Sequence, residues 1–302
     1  MDRLGVALVV GILSGLHTAT WGMYKDAIHE GFTVPRYLRS VLVSALAAPI
    51  IVRVSGLDPL TASGLVVLFG VTYCTERGLT EFWKTFVRFV DQSKFTIPMQ
   101  FHVFGRVIPQ GPVRWAIAAG HLAAAAGLLG WIHALQDYAF TWPRPVVILL
   151  IGSIGGWYSA CGGGFKDAPI EGFSGLKFVR SPILSALYAL LLSNFTRDYV
   201  LMALGGLGYT VASIETYKTF FFPSRPRGKF AGKPILHPHF LAIRQRFVPL
   251  YAGIWLLVVG TLVFYMPVAS LQAITAALTA LGRDEREPAL VVEAAGRSDE
   301  RV

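Results

Sequence analysis

Tyr24-Lys25-Asp26-Ala27-Ile28-His29-Glu30-Gly31-Phe32 returns 141 positions later as Phe165-Lys166-Asp167-Ala168-Pro169-Ile170-Glu171-Gly172-Phe173. The offset extends well beyond the motif. Gly11, Gly15, Ala19 and Gly22 meet Gly152, Gly156, Ala160 and Gly163, and Arg39-Ser40 meets Arg180-Ser181. From 11 to 48, 16 of 38 positions are identical across the offset. Unrelated sequence of this composition gives about two or three such matches, so the chain reads as an internal duplication. The third segments also correspond, with Glu81-Phe82-Trp83-Lys84-Thr85-Phe86 against Glu215-Thr216-Tyr217-Lys218-Thr219-Phe220.

What surrounds the motif is apolar. Of 302 residues, 54% are hydrophobic and 15% charged, and mean hydropathy is +0.54. A soluble domain carries about 25% charged residues. The apolar runs predict helices at roughly 4–21, 40–57, 59–79, 113–134, 145–161, 181–195, 199–217 and 248–267, each near the length that crosses a bilayer. Backbone groups in lipid must be satisfied within a helix or a closed barrel, and no alternating strand pattern is present. The fold class expected is therefore all-α: a polytopic membrane protein of about eight transmembrane helices. They form two tandem four-helix repeats (1–140 and 141–267) related by a pseudo-two-fold axis. Residues 268–281 read as a possible interfacial helix and 282–302 as a disordered tail. The first apolar run matches a mid-chain segment, so it reads as a retained helix rather than a leader.

The net charge is +9. In a membrane protein this excess sets orientation, so nucleic acid is not an expected partner. Lys, Arg and His concentrate in the segments after helices one, three, five and seven. The positive-inside rule places those segments, with both motifs, in the cytoplasm. The Ala-, Gly- and Arg-rich composition suits a bacterial inner membrane.

Within the duplication the charged set recurs: Lys25, Asp26, Glu30 and Arg39 as Lys166, Asp167, Glu171 and Arg180, and Glu81 and Lys84 as Glu215 and Lys218. The motifs read as loops of about 23–39 and its counterpart, entering the interface through Gly31 and Gly172. Charges beside apolar helices are costly unless paired, so one reading is a clasp that holds each motif against its neighbours. The other is a site. Two Lys and two Arg converging on one face can hold an anion, with Arg supplying bidentate geometry. If Asp26 and Glu30 lie on a helical turn, their i, i+4 spacing puts both carboxylates on one face.

Two functions follow from a site: a transporter or channel for a small anionic solute, or an enzyme acting on a lipid or isoprenoid phosphate. The Glu30-Gly31-Phe32 step resembles the K-T-x-E-G segment of membrane cytidylyltransferases and related lipid kinases. Their longer Asp-rich signature is absent from this chain, so their activity is not carried over. A clasp fits a third function, a structural or assembly subunit. The expected partners are the bilayer and either a small anionic solute or a phosphorylated lipid. No cofactor is implied. There is no P-loop, dinucleotide fingerprint, nucleophile elbow or C-x-x-C pair, and His237-Pro238-His239 lacks further ligands at metal-site spacing.

Overall fold

In the computed structural model the described residues are 1–90, 101–103, 106–166, 168, 172–222 and 230–267, with the side chain of Lys166 excepted. The expected interfacial helix at 268–281 and tail at 282–302 lie outside them. Among the described residues there are eight helices of 18 residues or more.

Each helix starts where a short polar side chain or a proline appears. Asp2 accepts a hydrogen bond from the Gly5 amide (2.8 Å) and opens α1, Arg3–Glu30. Pro35 sits in the first turn of α2, Val34–Ser55. Thr61 caps α3, Ala62–Phe82, which runs on into a π-helical turn, Trp83–Val87. A short hairpin pairs His102–Val103 with Arg106–Val107. Next come α4, Pro112–Ala134, and α5, Arg144–Lys166. Ser174 caps α6, Gly175–Leu192, and Asp198 caps α7, Tyr199–Phe220, through the Leu201 amide at 2.9 Å. The last long helix is α8, Val248–Tyr265. Residues Met1–Thr261 form one compact unit. Leu262–Val302 form another, whose described part includes the final turn of α8.

The outside of the chain is strongly apolar, and its mostly apolar interior also encloses polar side chains. On α2, Leu38, Leu42, Leu46, Ile50 and Val54 form an i, i+4 stripe that is exposed throughout. On α1, Ser14, His17, Thr18 and Thr20 are buried. Water would reverse that order; hydrocarbon imposes it. Six helices are long and apolar enough to cross a membrane. The two outside that set, α3 and α7, have about half or more of their residues buried. Helices walled in by protein can carry Glu76, Arg77, Tyr209 and Thr210 at less cost than helices facing lipid.

Small residues set the close contacts. A Cβ on Gly208 would stand 1.9 Å from the Gly70 carbonyl oxygen, so α3 and α7 touch backbone to backbone. On α1, a Cβ at Gly11 would meet the Ser44 oxygen at 2.5 Å, and one at Gly15 would meet Val41 Cα at 2.5 Å. On α5, a Cβ at Gly152 would meet Ala189 Cβ at 2.2 Å, and one at Gly156 would meet Pro182 Cα at 2.4 Å.

The structure corrects the motif boundaries in both halves: α5 runs on to Lys166 rather than ending near 161, and α6 begins at Gly175 rather than at 181. The first motif is not a loop: α1 continues unbroken to Glu30. The turn is confined to Gly31, whose φ of +75° belongs to the region favoured by glycine, and α2 begins at Val34 rather than near residue 40. With 22 residues, α2 is as long as a spanning helix requires.

Candidate functional site: a charged cleft at the end of the first helix

Because the first motif is helical, its residues divide by face. Thr18, Gly22, Asp26 and Glu30, four apart, line a cavity of ≈ 100 Å³. The start of α2 supplies Thr33, Arg36, Tyr37, Arg39 and Ser40, and the α3 end supplies Arg77, Lys84 and Arg88. Lys84 and Arg88 bracket the end of the π turn, a distortion often found where a helix carries function.

The lining sets five cations, Arg36, Arg39, Arg77, Lys84 and Arg88, against two carboxylates, Asp26 and Glu30. Some of these are already engaged. Arg36 lies 3.6 Å from Glu30, Arg77 pairs with Glu81 and lies 3.9 Å from Glu76, and Lys84 lies 3.1 Å from Glu81. With Glu76 and Glu81 included there is still one more cation than acid. Burial draws the Arg88 pKa below the ordinary guanidinium value, and the Glu30 carboxylate offsets part of that shift.

Arg39 and Asp26 stand apart from these pairs. Arg39 lies over the Trp83 ring at 5.7 Å, with no carboxylate within ion-pair distance among the described residues. Its Nε is buried and lacks a hydrogen-bond partner, and so does Asp26 Oδ1. Buried polar atoms without partners are rare in a finished structure. The first turn of α2 adds to the field here. Thr33, which makes no side-chain cap, lines the cleft with the start of α2, whose helix end carries partial positive charge.

The other face of the motif helix does different work. Lys25 Nζ donates to Glu215 Oε2 on α7 at 2.8 Å, and Lys218 lies 3.6 Å from Glu215 Oε1. Lys25 also lies over the Trp21 ring at 4.6 Å, and Arg77 lies 5.2 Å from the same ring. Behind the motif, the segment before α8 is strapped across α1. His29 Nδ1–H donates to the Pro234 carbonyl at 2.8 Å, and its ring stacks on the fully buried Phe230 at 4.4 Å. The Leu236 and His237 amides both donate to the Ile28 carbonyl, at 2.9 and 3.0 Å. Arg244 lies over Tyr24 at 4.4 Å, and Gln245 donates to the Tyr24 hydroxyl at 3.0 Å.

No family model, curated protein or solved structure matches this chain.

The candidate residues from the sequence therefore separate. Asp26, Glu30, Arg39 and Lys84 meet in the cleft, with Glu81 pairing behind it. Lys25, Glu215 and Lys218 form a cross-link on the opposite face. Arg180, on α6, does not line the cleft, though its Nε is also buried without a hydrogen-bond partner. Asp167, Glu171 and the Lys166 side chain lie outside the described residues. Sequence reasoning missed Arg36, Arg77 and Arg88. It favoured charges shared by both halves, whereas these three have Lys177, Val211 and Phe222 as their counterparts. A cue was present in the crowding of Glu76, Arg77 and Glu81 on an otherwise apolar helix.

His17 on α1 is held by hydrogen bonding and packing. It lies 3.2 Å from the Tyr73 hydroxyl, stacks on Tyr251 at 4.0 Å and is wholly buried.

Proposed function

We propose that this protein is a multi-pass membrane transporter or channel for a small anionic solute, with the α1–α2–α3 cleft as its binding site. One observation carries the reading: Arg39 lines a cation-rich cleft with a buried Nε that no group among the described residues satisfies. A guanidinium removed from water needs an anion, and an incoming one takes that place. Size supports a small ligand. Drug-sized ligands occupy pockets of about 300–1,000 Å³, several times this volume.

The architecture we propose around the site is two four-helix repeats related by a pseudo-two-fold axis along the membrane normal. Supporting it, Gly11 and Gly15 pack on α2 at the positions where Gly152 and Gly156 pack on α6, and the glycine contact between α3 and α7 suits a central axis. The positive-inside distribution supports a cytoplasmic cleft, and the composition supports a bacterial inner membrane.

The test is solute flux in proteoliposomes across a panel of inorganic and organic anions. Wild-type protein should show saturable uptake of at least one of them. Arg39→Gln should abolish that uptake while leaving yield and elution profile intact. Equal flux from wild-type and Arg39→Gln protein would remove the cleft from the transport path.

A further inference from the structure

The cleft carries more than excess positive charge. Among its buried atoms without a hydrogen-bond partner in the described residues are two of opposite hydrogen-bonding sense. Arg39 Nε is a donor with no acceptor, and Asp26 Oδ1 is an acceptor with no donor. Both residues line the same ≈ 100 Å³ cavity, and neither is in an ion pair among the described residues. A simple anion satisfies only the first and is repelled by the second. A ligand that satisfies both must present an anionic oxygen and a proton of its own.

We infer that the cleft selects a monoprotonated oxyanion, the hydrogen phosphate group, with its charged oxygens toward Arg39 and its P–OH donating to Asp26. This inference rests on the anion-site reading above. It adds that Asp26, as an acceptor, determines specificity. Sulfate has the same tetrahedral shape and charge but no proton at neutral pH, so it would meet Asp26 lone pair to lone pair. A buried site built to pair a donor rejects the analogue that lacks it, because its own acceptor is left bare. Thr33 and Arg36 also line the cleft and carry side-chain donors. The group has two possible sources, free inorganic phosphate and the headgroup of a phosphomonoester lipid, which offers the same P–OH and P–O⁻ pair when it binds in its monoprotonated form.

The test is isothermal titration of the purified full chain in detergent with inorganic phosphate, sulfate and short-chain phosphatidate. We expect phosphate or phosphatidate to bind more tightly than sulfate by about tenfold or more, the scale of one charge-assisted hydrogen bond. Tighter phosphatidate than phosphate identifies the lipid headgroup as the source, and the reverse order identifies the free ion. Asp26→Asn should bring the phosphate-to-sulfate ratio close to one, since an amide can donate to sulfate. Its elution profile and unfolding temperature are measured alongside. If that variant does not fold, the wild-type ratio decides by itself. Sulfate binding as tightly as both phosphate ligands would overturn the inference and leave the anion-site reading standing. Absence of binding by all three would overturn both.

Discussion

The α1–α2 and α5–α6 pairs close in the same register and are lined differently. Gly11 and Gly15 lie against Ser44 and Val41 of α2, and Gly152 and Gly156 against Ala189 and Pro182 of α6. Part of the lining that gives the first pair its cleft has changed in the second. Trp21 faces Gly162 across the duplication, Tyr37 faces Phe178 and Arg36 faces Lys177; on the third helices, Glu76 and Arg77 face Thr210 and Val211. What the two copies share is what lets helices approach, together with the charged set Asp26, Glu30, Arg39 and Lys84. What they do not share is further polar lining. In this duplicated chain, then, identity between halves marks both the helix contacts and the charged centre of the cleft, and divergence marks lining residues that the second half lacks.

The largest effect expected from breaking this comparison lies where the first motif is tied across to α7. Glu215→Gln leaves Lys25 buried and without its partner, and should lower stability by about 3–5 kcal/mol in denaturant unfolding. Replacing both partners together, with Lys25→Met and Glu215→Leu, should recover most of that loss. Full loss in the double variant would mean that shape, not charge, holds the contact.

Next come the glycines that the two pairs have in common. Gly11→Ala and Gly152→Ala should each cost about 1–3 kcal/mol through overpacking, and by similar amounts. Thermal unfolding of the two variants side by side checks this, with Gly120→Ala as the control. A Cβ at Gly120 meets nothing within 4 Å, and alanine is the better helix former.

A smaller loss should follow Tyr37→Phe, which copies the second half's Phe178 into the first. It removes the 2.8 Å bond between the Tyr37 hydroxyl and Thr20 Oγ1, worth about 1 kcal/mol by unfolding.

The smallest effect belongs to the exposed turn before α3. There Asp58 accepts from Arg3 at 3.1 Å, whereas Asp198 before α7 caps its own helix. The Arg3 hydrogen bond holds the Asp58 carboxyl below its ordinary pKa. Its contribution is therefore complete above the ordinary aspartate pKa and is lost as pH falls through the depressed value. Unfolding temperatures of wild-type and Asp58→Asn protein should converge in acid and differ only slightly at neutral pH.

Much of this fold was legible in the sequence. Apolar runs locate the helices, and the duplicated glycines mark the helix contacts. The end of α1 was misread because six polar or charged positions in a short span resemble a loop to any hydropathy measure. The helix survives them because its charges are satisfied sideways, Lys25 by Glu215 and Glu30 by Arg36, so the backbone has no need to leave. Only Gly31 then marks the stop. The cleft was half legible. Asp26, Glu30, Arg39 and Lys84 recur across the halves and could be found by comparing them. Arg77 and Arg88 are brought in by the third helix and its π turn, and that long-range placement has no local signature.

The strap over α1 bears on the order of assembly. A membrane chain is threaded into the bilayer from its N-terminus, so α1 is in place long before residues 230–245 have been made. Until then the Ile28 carbonyl lacks the amides of Leu236 and His237, His29 lacks Phe230, and Tyr24 lacks Arg244 and Gln245. The first helix to enter the membrane is thus among the last to be completed, and a ribosome stalled after α7 would leave an inserted protein with the back of its motif helix bare.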